Sequence, residues 1–174
     1  DMATTIRFGE YFGFSESEVD TLYTRYSQIQ ANKTITRNEL KKWYNGYHTA
    51  AGECLYNPRS VISALTNNQL GCYWTSSGVY DSIFYYIRNN ISSVREDLAF
   101  MAAGEWVNAK IQSYAATSME LESKDQIYSA MVVYGLLTYE NGEVFIPNKE
   151  LMLKYEELML NKESLGYVYL LVNE

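Results

Sequence analysis

Apolar residues recur at helical spacing along most of the chain, and polar caps mark where the runs begin. Val19, Leu22, Tyr23, Tyr26 and Ile29 share one helical stripe. Ser15 and Glu18 precede it with capping-box spacing, and Phe14 and Val19 stand as a hydrophobic staple. Thr36 and Glu39 repeat the signature, with Ile35 and Leu40 as the staple. They predict a second helix carrying Leu40, Trp43, Tyr44 and Tyr47, with Gly46 near its end. The stretch from His48 to Tyr56, with Gly52 inside it, predicts a turn or small hairpin. Asn57 as N-cap and Pro58 at the first helical position predict a third helix with Val61, Ile62 and Leu65. Ser76, Ser77 and Gly78 open a fourth through Ile83, Phe84 and Ile87, and Ser93 and Glu96 cap a fifth that ends at Gly104.

The second half changes character. Val107, Ala109 and Ile111 alternate with Asn108 and Lys110, as in a strand. Ser123 and Gln126 cap a helix through Ile127, Met131 and Tyr134. Asn141-Gly142 between two apolar runs is a strong hairpin signal, and Asn148 caps a last helix with Leu151, Tyr155, Leu158 and Met159. The fold class is therefore mainly α with a small β element. A helical lobe over residues 1–104 is followed by a winged-helix-like helix–hairpin–helix over 105–174, either as two packed lobes or as one continuous domain.

Composition narrows the class. The chain has 174 residues, 47% hydrophobic, with only 2 prolines, which excludes a disordered tail, a collagen repeat or a low-complexity linker. Tyrosine is over-used, at 17 against 6 Phe and 3 Trp, so the chain has either a hydrogen-bonded core or a face that touches something. A net charge of −7 argues against nucleic-acid binding and against an anionic membrane surface. No apolar run approaches the roughly 18–20 residues of a membrane span, and the first residues lack a signal-peptide pattern. Cys54 and Cys72 form no C-x-x-C, which fits two free thiols in a reducing, intracellular and cytoplasmic setting. The start without an initiator Met reads as a piece of a longer protein.

Chemistry-bearing motifs are sparse. There is no G-x-x-x-x-G-K-[ST] loop, so nucleotide hydrolysis by this chain alone is not expected. His48 is the only histidine and no G-x-S-x-G elbow accompanies it. Glu16/Glu18 and Glu156/Glu157 fit solvated helix faces better than a two-carboxylate site. The unusual residues concentrate in three turns: Trp43-Tyr44-Asn45-Gly46-Tyr47-His48, Leu55-Tyr56-Asn57-Pro58-Arg59-Ser60-Val61, and Tyr73-Trp74-Thr75-Ser76-Ser77-Gly78.

In this order, those motifs resemble the AAA-ATPase-like family of large P-loop proteins, many of which add a C-terminal nuclease-like domain of the PD-(D/E)XK type. Phe12-Gly13-Phe14-Ser15-Glu16-Ser17-Glu18-Val19, the Tyr134–Thr138 stretch and Ile146-Pro147-Asn148-Lys149-Glu150 fit the same pattern. The likeness covers about residues 8–160 and matches the part that follows the ATPase core. The family's usual aromatic after the Asn-Pro pair is Arg59 here.

The resemblance implies a helical lid-like bundle that is not itself an enzyme and needs no cofactor. ATP and magnesium would belong to an N-terminal ATPase core, and a C-terminal effector or nuclease-like domain would be the other partner. By analogy with lids of P-loop ATPases, the nucleotide-facing or interaction candidates are Tyr44, Asn45, Tyr47, His48, Tyr56, Asn57, Pro58, Arg59, Trp74 and Ser77, with His48 or Arg59 as sensors. The rival expectation is a stand-alone protein-interaction module using a Tyr- and Trp-rich face. A third, nucleic-acid binding through the second lobe, has Lys149 and Lys154 set beside Glu150, Glu156 and Glu157.

Overall fold

Local capping sets most of the helix starts. The structure is a computed structural model that describes residues 13–78, 91–111, 121 and 123–160. Helix α1 (Glu16–Ile29) and helix α2 (Arg37–Tyr44) each begin with a complete capping box, Ser15 with Glu18 and Thr36 with Glu39. Strands β1 (Tyr47–His48) and β2 (Cys54–Leu55) pair antiparallel as a short hairpin, with His48 opposite Cys54. Helix α3 (Pro58–Asn67) starts from Asn57, whose side chain accepts the Ser60 amide. The expected helix through Ile83, Phe84 and Ile87 lies outside the described residues.

Helix α4 (Arg95–Ala102) follows a 3₁₀ turn at Ile91–Val94. Its N-cap is Val94, with no side-chain cap, so the Ser93/Glu96 box expected there does not start it; the 3₁₀ turn carries the chain in instead. Strand β3 (Val107–Asn108) leads to helix α5 (Lys124–Val133), capped by Ser123 and Gln126. Strands β4 (Thr138–Glu140) and β5 (Glu143–Phe145) flank Asn141-Gly142, both at positive φ, 50° and 91°. That pair of left-handed residues makes the type I′ turn whose twist suits a two-residue hairpin. β3 adds to the far side of β5, giving the antiparallel order β3-β5-β4. Helix α6 (Lys149–Leu160) closes the order, with the Asn148 side chain accepting the Leu151 amide.

The fold is mainly α with small antiparallel sheets, and among the described residues the buried side chains form two clusters. Val19, Tyr26, Leu40, Tyr44, Tyr56 and Val61 join α1, α2 and α3. Leu98, Met101, Ile127, Met131, Leu151 and Tyr155 join α4, α5 and α6, and Tyr47 and Leu55 of the first hairpin belong to this second cluster. Helix α4 lies within residues 1–104, yet it packs with the helices that follow. Tyr47 is a correction to the helical expectation: α2 ends at Tyr44, and Gly46 at φ +111° turns the chain into β1. Tyr44 and Tyr47 thus face different clusters.

Among the described residues, most tyrosines belong to a hydrogen-bonded core. The hydroxyls of Tyr44, Tyr23 and Tyr155 donate to the carbonyls of Gly71, Ile35 and Leu136 at 3.0, 3.0 and 3.1 Å. A buried hydroxyl without such a partner costs about 1–3 kcal/mol. Among the described residues, no helix is long and apolar enough to cross a membrane.

Candidate functional site

Two of the three aromatic turns meet the Ile146–Glu150 segment at one carboxylate, and the third packs against the same segment. Asn57 receives the Ser60 amide at 3.1 Å, and this cap together with Pro58 directs the first turn of α3 toward α6. There the Ser60 hydroxyl donates to Glu150 Oε2 at 2.7 Å. The other oxygen, Oε1, accepts the amides of Trp74 and Thr75 at 2.7 and 3.0 Å, and the Thr75 hydroxyl at 3.3 Å. Glu150 is only 1% exposed, so these donors take the place of water around it. It sits in the first turn of α6, where the helix dipole favours a negative charge. Burial raises the Tyr44 and Tyr47 phenols well above their ordinary range, and the nearby Glu150 carboxylate adds to the effect in both.

The remaining motif segments dock on the same body. The Asn57 amide donates to the Tyr44 carbonyl at 3.0 Å, tying the start of α3 to the end of α2. Gly46 lies so close to Pro147 that a Cβ there would stand 1.9 Å from the Pro147 carbonyl oxygen. Lys149 Nζ lies 4.7 Å from the centre of the Trp43 ring, a cation–π contact across the same junction. Phe14 and Tyr56 exchange backbone hydrogen bonds of 3.1 and 2.8 Å, which seats the Gly13-Phe14 segment against the start of α3.

A cavity of about 180 Å³ opens beside this junction, with Tyr47, Asn57, Pro58, Trp74, Tyr134 and Gly135 in its wall. That is below the roughly 300 Å³ at which pockets for whole small molecules begin. It takes a single ring or a short side chain. Gly135 has φ +72°, and a Cβ there would meet the Trp74 and Tyr47 rings at 3.7 Å, so a side chain would narrow the space.

The ten expected site residues divide accordingly. Tyr47, Tyr56, Asn57, Pro58 and Trp74 line the cavity. Tyr44, Asn45 and Ser77 are buried, and Arg59 is exposed. The Tyr56 hydroxyl is engaged away from the cavity, accepting from Arg37 at 2.8 Å and donating to Glu16 at 2.9 Å. Burial pushes the Tyr56 phenol up to about 12, with Arg37 opposing and Glu16 reinforcing. His48 belongs to a different group: its Nε2 is 3.2 Å from Cys54 Sγ. Its Nδ1 is buried and lies 3.1 Å from Glu140 Oε1, without the alignment of a hydrogen bond. Cys54 and Glu140 approach opposite sides of the ring and cannot share an ion with it. Among the described residues, no group of His, Cys, Asp and Glu is arranged to hold a metal.

Sequence reasoning missed Glu150, Thr75 and the role of Ser60. Glu150 reads as part of a charged helix face, and its acceptor role appears only when residues 60, 74 and 75 fold against it. Comparison with protein-family models, with curated proteins and with solved structures finds no match.

Proposed function

We infer that this chain is the helical lid and sensor segment of an AAA-ATPase-like protein, coupling nucleotide state to a partner or effector domain without catalysing a reaction itself. The observation that carries the reading is the convergence on Glu150 of Ser60, Trp74 and Thr75, which come from two separate turns of the resemblance, while Glu150 comes from a third segment. A lid must move as one piece to transmit a change, and a buried carboxylate joining α3, the 73–75 turn and α6 supports that. The Tyr56-Asn57-Pro58 turn presents the cavity edge toward a nucleotide held by an N-terminal ATPase core, which supplies ATP and magnesium binding. The small cavity suits contact with one ring rather than enclosure of a nucleotide. The helix–hairpin–helix of α5, β4, β5 and α6 is the winged-helix-like part that passes the change onward, in an intracellular protein.

Among the described residues, a stand-alone interaction module would not be built on the most buried tyrosines. Tyr44, Tyr56, Tyr128 and Tyr155 are fully buried, whereas Trp106, stacked on Phe145 at 4.1 Å, is 46% exposed. The lid reading is tested in a parent protein carrying a P-loop core. Asn57→Ala with Pro58→Ala weakens ATP affinity there while the protein still folds, its thermal unfolding midpoint lowered only by the loss of the α3 cap. ATP and ADP titrated into this chain alone give no binding heat. Unchanged affinity in the folded parent variant, or micromolar binding to this chain, contradicts the reading.

A further inference from the structure

We propose that Cys54, with His48 as its proton acceptor and Glu140 behind the imidazole, is a thiol–disulfide exchange site for low-molecular-weight disulfides. The three residues stand in the order nucleophile, base, orienting acid. Cys54 Sγ is 3.2 Å from His48 Nε2, and His48 Nδ1 is 3.1 Å from Glu140 Oε1. This is the relationship by which a histidine activates a neighbouring nucleophile. A Glu140 carboxylate oxygen stands beside the buried Nδ1, which has no aligned hydrogen bond in the structure.

The fold holds the pair in place from both sides. His48 and Cys54 are directly opposite in the β1–β2 hairpin. The His48 amide donates to Thr138 Oγ1 at 2.8 Å, which anchors β1 to β4, the strand that ends in Glu140. Phe145 meets the imidazole edge-on with ring centres 5.3 Å apart, limiting its rotation. Cys54 itself is half-buried and follows the exposed turn from Ala50 to Glu53, so a small reagent has a way in.

The step balances within the named groups. His48 Nε2 takes the Cys54 thiol proton, and the thiolate attacks one sulfur of the incoming disulfide. That S–S bond breaks as the new one to Cys54 forms, and the departing thiolate takes the proton back from the imidazolium. Cys54 is oxidised to a mixed disulfide and the departing sulfur is reduced to a thiol. Acyl transfer would in addition need donors aimed at a developing oxyanion. Exchange at sulfur requires only a thiolate, a proton acceptor and reach.

The environment makes the base necessary. Burial pushes the Cys54 thiol up, Glu140 and, from α1, Glu16 add to this, and Lys41 on α2 opposes it. Without a proton acceptor such a thiol reacts slowly. Cys72 is the internal comparator: it is also half-buried and its thiol is also pushed up by burial, but its side-chain neighbour is the Thr75 hydroxyl.

The test exposes the folded chain to oxidised glutathione at neutral pH and follows each cysteine by peptide mass mapping. Cys54 should form its mixed disulfide about tenfold or more faster than Cys72, as expected when a positioned base assists. In guanidinium the two rates should become equal. His48→Gln should bring Cys54 down to the rate of Cys72, and should make its rate climb as steeply with pH as an unassisted thiol's. Glu140→Gln should slow it partway. Equal rates for the two cysteines in the folded unsubstituted chain overturn the proposal, whether or not a variant folds. So does an unchanged Cys54 rate in a folded His48→Gln chain.

Discussion

The Ser60 hydroxyl donates to the Glu150 carboxylate at 2.7 Å across 90 positions of sequence. Ser60 also accepts the Trp74 amide at 3.2 Å, so its single oxygen links the turn and the carboxylate. Removing either partner leaves buried polar groups unpaired. Ser60→Ala should lower stability by about 1–2 kcal/mol, and Glu150→Leu by about 3 kcal/mol or more, since it strands the Trp74 and Thr75 amides. Urea unfolding curves measure both. Because the residues touch, the double variant should cost clearly less than the sum. Additive losses would show that the contact contributes nothing in solution.

Gly46 is required by both its backbone and its neighbour. Its φ is +111°, and a Cβ would fall 1.9 Å from the Pro147 carbonyl oxygen. Gly46→Ala should therefore force α2 and the 146–148 segment apart and cost about 3 kcal/mol or more. Gly52→Ala is the control: φ is +82° but nothing lies within 4 Å of its Cβ, so only the smaller backbone cost of about 1 kcal/mol remains. Equal losses in the two variants would contradict the close approach.

Features made within a few residues are legible in the sequence, whereas contacts between distant segments are not. The starts of α1, α2, α3, α5 and α6 are legible because each cap bonds to an amide three positions on, within the reach of a local pattern. Asn141-Gly142 is legible for the same reason, its turn being made by its own two residues. Glu150 is not, because its partners are separated from it by 75 to 90 positions. The pairing of Cys54 with His48 is intermediate: a hairpin is readable between them, but the register and the approach of Glu140 depend on β4. The missing cap of α4 shows the converse, a correct local pattern overridden by a 3₁₀ turn.

The capping boxes make part of the stability pH-dependent. The backbone amide of Ser15, then its hydroxyl, holds Glu18 below its ordinary value of 4.5; the amide and hydroxyl of Thr36 do the same for Glu39. A carboxyl depressed in the folded state contributes fully above its unfolded value and loses that contribution as pH falls through its folded value. Thr36→Ala should cost about 1 kcal/mol at neutral pH. The deficit should shrink on going from neutral pH to an acid pH below the ordinary carboxylate range, as the Glu39 carboxyl is titrated through its depressed folded value. Urea midpoints for the two chains at both pH values check this, and a deficit independent of pH would contradict the charged box.

The central claim is that Glu150 joins the 73–75 turn, α3 and α6 into one body. Amide hydrogen exchange at Trp74 and Thr75, followed by NMR, tests it most directly, because both amides donate to Glu150 Oε1. They should exchange as slowly as the core amides of α3 and α6, and lose protection together in Glu150→Leu while α1 keeps its own. Exchange in the unsubstituted chain as fast as at Ala51, in the exposed turn between β1 and β2, would contradict it.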